Sequence, residues 1–67
     1  MNILAIESAS TVCGVALFLD SKLVELDEID KPRIHGKRLP VISYKILHNN
    51  SININQLDGI AISSGPG

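Results

Sequence analysis

The hydrophobic positions along the chain form four short runs and one longer stripe. Three runs are of strand length and rich in apolar residues, which predicts strands at 2–6, 12–19 and 57–62. Between the second and the last of these, residues 22–29 alternate in parity, which is typical of a half-exposed strand. Pro32 closes this third strand, because proline cannot continue a hydrogen-bonded ladder.

The longer stripe predicts a helix between the third and fourth strands. Leu39, Ile42 and Ile46 are spaced i, i+3, i+7 and fall on one helical face. Pro40 is tolerated only near a first turn, so we expect the helix to begin between 36 and 39 or to be kinked there. The polar residues 48–50 form its end, with asparagine suited to a left-handed cap, and a loop follows.

The element order is therefore β-β-β-α-β. Parallel strands need a crossover connection, and the helix supplies one before the fourth strand. A three-stranded meander followed by a helix and a parallel strand predicts an α/β fold. This order predicts the first β-β-β-α-β portion of the amino-terminal lobe of the ribonuclease-H-like, actin-like (ASKHA) fold.

Length bounds the size of the core. A chain of 67 residues holds one domain at most and buries only about 60% of its unfolded surface, so its core is marginal. The single cysteine, Cys13, cannot form an internal disulfide and is interpreted as a small buried hydrophobe. The sequence predicts a glycine-rich loop at 63–67 directly after a buried strand, and chains normally continue beyond such a loop. We therefore expect residues 1–67 to be the amino-terminal part of a single actin-like lobe, truncated after the fourth strand.

Charge and hydropathy exclude several classes of partner. The net charge of −1 gives no electrostatic signature for nucleic acid or an anionic membrane. The first apolar run meets Glu7 before it reaches the length of a signal sequence. The longest unbroken apolar run, 15–19, is far below the ~20 residues of a membrane span. We expect a cytoplasmic protein with no membrane contact.

Glu7 and Ser8 mark the first candidate site, in the turn after the first strand. A carboxylate beside hydroxyls and free backbone N–H groups can orient a magnesium-bound water or a phosphate. The same residues also suit a solvated hairpin turn whose hydroxyls bond locally, and this simpler interpretation is favoured from the turn alone.

Gly65 and Gly67 mark the second candidate, after the fourth strand. Glycines at the carboxyl end of a parallel strand allow a ligand to approach the backbone closely. A plain turn explains the Gly65-Pro66-Gly67 sequence equally well. His35 is a possible metal ligand or base by residue type, but it has no partner histidine three or four residues away on the helix, and we assign it no role. The sequence predicts neither a catalytic residue nor a metal site.

These segments resemble one known family. The opening strand with Glu7 and Ser8, the second strand, the helix around 35–42 and the closing segment from Leu57 to Gly67 are similar to the TsaB (YeaZ) family. Its members belong to the machinery for tRNA threonylcarbamoyladenosine synthesis and were once grouped with glycoproteases. The resemblance covers the whole chain and about the first third of a full-length member. The related TsaD family has a long Gly-, Val- and Pro-rich segment before the first helix, which this chain lacks.

The resemblance implies a non-catalytic scaffold subunit that pairs with TsaD and the ATPase subunit TsaE, or with a second copy of itself. It implies contact with tRNA only through the complex. It also implies that this chain requires no cofactor, that ATP and magnesium act in the partner subunits, and that Glu7, Ser8, Gly65 and Gly67 are vestiges of a nucleotide site. Family members pair through helices of this lobe, so the predicted interface residues are Val41, Tyr44 and Leu47.

Two other classes stay open at this level. One is the first lobe of an ATP-dependent actin-like enzyme, either the catalytic threonylcarbamoyltransferase subunit or a sugar kinase. The other is a glycoprotease-like hydrolase, although no nucleophile–base pair supports it.

Overall fold

The computed structural model describes residues 1–8, 13–29 and 35–63. They form a four-stranded mixed sheet with one α-helix and a short 3₁₀-helix. The strands are β1 (Ile3–Ser8), β2 (Cys13–Leu19), β3 (Lys22–Ile29) and β4 (Gly59–Ser63). The helix α1 spans His35–Asn49, and the 3₁₀-helix spans Ile54–Gln56. The predicted element order is confirmed.

The sheet order is β3-β2-β1-β4, so β1 lies between β2 and β4. β1 pairs antiparallel with β2 and parallel with β4. The β2–β3 hairpin closes through Asp20 and Ser21, which both have positive φ, at 54° and 64°. Such a two-residue turn matches the right-handed twist of the flanking strands.

α1 packs on one face of this sheet, across β2 with β1 and β3 on either side. The core consists of three strand residues and three helix residues: Leu4, Val15, Leu17, Ile42, Ile46 and Leu47. Ser43, on the same side of α1, is also buried, and its hydroxyl donates to the Leu39 carbonyl at 2.7 Å. Ser43 is the one buried polar side chain among the described residues, and this bond satisfies its hydroxyl. The helix can therefore pack against the sheet without leaving a buried polar group unpaired.

The carboxyl end of α1 is a Schellman motif. The N–H of Ile52 donates to Leu47 O at 3.0 Å, and that of Ser51 donates to His48 O at 3.1 Å. Ser51 takes the left-handed conformation, with φ 54°. The sequence interpretation had given this cap to an asparagine. Asn50 instead donates to Glu25 Oε1 at 2.9 Å and to Ile46 O at 2.8 Å, which ties the helix end to β3.

Pro40 is the sixth residue of α1, inside the helix rather than in its first turn. The helix begins at His35, slightly before the predicted start. Because Pro40 is exposed, its ring meets solvent instead of the core. In the described ranges, no helix has the length and apolar content that crossing a bilayer requires.

Candidate functional site

Glu7 lies at the end of β1 in a row of residues that crosses all four strands. Glu7 pairs with Ser63 of β4 on one side and with Gly14 of β2 on the other, and Gly14 pairs with Glu28 of β3. Residues paired in this way project from the same face. The row therefore brings two carboxylates and a hydroxyl to the sheet face opposite α1.

The floor beside this row is made of small side chains. Ala5, Ala16 and Ala61 occupy three positions of the adjacent row, and Leu26 of β3 occupies the fourth, so the face is shallow on the β1 and β4 side. Gly14 has little room for a side chain: a Cβ there would lie 3.2 Å from Asp27 O and 3.3 Å from Glu28 Cγ, so these neighbours would have to shift. The side chain of Glu28 thus lies over the glycine, between its own strand and Glu7.

The described part of this face is acidic. Glu7 and Glu28 are exposed carboxylates whose strands are two spacings apart, about 10 Å. Among the described residues that line this face none is basic. The described part of the chain also contains no group of three or more potential metal ligands. Gly65 and Gly67 lie outside the described residues, as does the side chain of Ser8.

The second candidate surface is the outer face of α1. Val41 is 60% exposed on the side of the helix away from the sheet, and Tyr44 is 63% exposed between that side and β4. Arg38, Lys45 and His48 lie beside them and are exposed as well. We call these five residues the outer face of α1.

Leu47 does not belong to this outer face, and its assignment to an exposed interface is wrong. It is only 3% exposed and is part of the core cluster. The reason is the Schellman turn, which brings the chain back so that Ile52 and Leu57 pack against the same cluster. Leu47 borders the core stripe in the helical periodicity, so the sequence alone did not decide whether it is buried, whereas Tyr44 lies nearly opposite the stripe.

A third feature, which the sequence did not reveal, is an apolar groove between α1 and β4. Ile60 is 48% exposed and Ile62 71% exposed on the sheet face that α1 covers elsewhere. The groove is lined on the helix side by Leu39, Pro40 and Tyr44. It forms because α1 is centred on β2 and leaves β4 largely bare.

The comparisons with curated proteins give relatives from one modification pathway; no family model matches the chain. The whole chain is 31% identical over 67 residues to the tRNA threonylcarbamoyladenosine biosynthesis protein TsaB of Haemophilus influenzae and spans 28% of that protein. It is also 34% identical, over 83 aligned positions, to the tRNA N6-adenosine threonylcarbamoyltransferase of Dichelobacter nodosus, spanning 24% of it. A further transferase, from Fervidobacterium nodosum, is 46% identical over 35 residues.

Alignment length separates the two kinds of relative. The TsaB alignment has as many positions as the chain has residues, 67. The Dichelobacter alignment has 83 positions for the same 67 residues, so that transferase carries at least 16 residues without a counterpart here. This agrees with the sequence argument that the chain lacks a long transferase segment.

Two solved structures from Pseudomonas aeruginosa match the fold. One is described as YeaZ, with a TM-score of 0.87, and the other as an uncharacterised protein with similarity to peptidase YEAZ, with a TM-score of 0.86. Each is 27% identical, and each match covers 98% of this chain and 30% of the other. The fold prediction is confirmed, and the chain spans less than a third of these relatives. By sequence and by fold, the chain is similar to part of the TsaB (YeaZ) proteins.

Proposed function

We propose that this chain is a non-catalytic partner subunit in the synthesis of threonylcarbamoyladenosine in tRNA. The observation that carries the proposal is the end-to-end match to a TsaB protein without added positions, together with the YeaZ fold. ATP and magnesium then act in the partner subunits, and this chain requires no cofactor.

The outer face of α1 is the proposed contact with the catalytic subunit, a TsaD-like transferase; the ATPase subunit TsaE completes the complex. Val41 and Tyr44 place apolar area on a surface that the core does not use. Exposed Arg38, Lys45 and His48 lie beside this area, as polar side chains do at the rim of a protein interface. An exposed tyrosine is also a common anchor of such interfaces. Contact with tRNA follows through the assembled complex.

Reconstitution tests the proposal. The chain is added to the catalytic and ATPase subunits of its own organism, and threonylcarbamoyladenosine is measured in unmodified tRNA. We expect modification that depends on the chain, and we expect Tyr44→Glu to abolish co-elution with the catalytic subunit in size-exclusion chromatography. The matched control is Tyr44→Phe, which keeps the ring and should keep pairing.

Circular dichroism distinguishes a loss of the interface from a loss of the fold in the Tyr44→Glu variant. Tyr44→Glu should leave the folded signal unchanged, because the side chain is 63% exposed. Unfolding of this variant would place Tyr44 in the core and refute the interface. Full modification without the chain would refute the proposed function itself.

A further inference from the structure

We draw no further inference here: the strongest candidate, the apolar groove between α1 and β4 lined by Leu39, Tyr44, Ile60 and Ile62, carries none because nothing in the described part of the structure shows what covers it.

Discussion

Asn2 and Asp58 hold each other through two hydrogen bonds, although 56 positions separate them in sequence. The Asp58 N–H donates to Asn2 O at 2.7 Å, and the Asn2 N–H donates to Asp58 Oδ2. The Asn2 side chain extends the contact by accepting from Asp20 N at 3.2 Å and donating to Gln56 O at 3.3 Å. One residue therefore joins the start of β1, the β2–β3 turn and the segment that leads into β4.

Removal of this carboxylate should loosen the β1–β4 pair. For Asp58→Ala we expect the free energy of unfolding to fall by about 1 kcal/mol, the usual worth of such a bond. Urea unfolding followed by circular dichroism measures the change. Asn55→Ala, at an exposed position of the preceding 3₁₀-helix, is the control and should stay within about 0.5 kcal/mol of wild type. Equal effects of the two variants would contradict the assignment.

Two substitutions on opposite sides of α1 test the location of the core. Ile46 is 0% exposed, so Ile46→Ala should cost about 2–5 kcal/mol through lost burial and a cavity. A chain of this length has only about 3–10 kcal/mol in total, so extensive unfolding is expected in thermal scans. Val41→Ala, on the outer face, should change stability by less than about 0.5 kcal/mol. A large loss at Val41 would show that the outer face is buried.

Ser51 is a position where glycine should stabilise the protein. It holds φ 54° at the residue where Schellman motifs prefer glycine, because a Cβ is strained there. We expect Ser51→Gly to raise the free energy of unfolding by about 0.5–1 kcal/mol. Lys45→Gly, in the exposed middle of α1, should lower it by about 1 kcal/mol. The prediction fails if both glycines lower the urea midpoint.

Glu7 should be dispensable for tRNA modification. Its carboxylate is exposed and the described part of the chain places no metal-ligand group around it. In the reconstituted system, Glu7→Gln should stay within a few-fold of the wild-type rate, and Glu28→Gln, in the same row, serves as the matched comparison. General acid–base catalysis contributes about 10²–10⁴-fold, so a loss of that size at Glu7 alone would assign it a catalytic role.

The order of the elements could be predicted because each has its own period or boundary residue. The bounds of β3 match the alternating segment at both ends. β1 and β4 extend one or two residues later than predicted, up to Ser8 and Ser63. Polar residues end an apolar run but can still pair in a sheet, and pairing depends on the neighbouring strand rather than on the residue itself.

The orientation of β3 could not be predicted. The odd-numbered and the even-numbered residues of β3 have similar compositions, since each set mixes leucine or valine with acidic residues. In the fold, Glu25 and Asp27 stand beside Leu17 and Val15 on the helix side, whereas Leu23 and Leu26 are about half exposed on the other. A register shift between Leu17 and Phe18 and the bond from Asn50 to Glu25 accompany this orientation. Both are contacts between distant segments, which periodicity does not encode.

The candidate site was predicted in part. Glu7 could be placed at a strand end, but its row partners depend on the register of three other strands. Val41 and Tyr44 could be placed off the core stripe from the sequence. The burial of Leu47 could not be predicted, because it depends on the turn at Ser51. The proposed nucleotide-site glycines, Gly65 and Gly67, stay a prediction.

The position of β1 between β2 and β4 has a consequence for synthesis on the ribosome. The β1–β2–β3 meander uses neighbouring segments and can form as soon as it emerges, whereas β4 pairs with β1 only after Asp58 and the strand behind it are made. Until then, one edge of β1 stays open, with unpaired backbone groups and Leu4 beside it. Open apolar edges of this kind recruit other strands. The nascent chain is thus most prone to misassembly after the meander has left the ribosome and before β4 has.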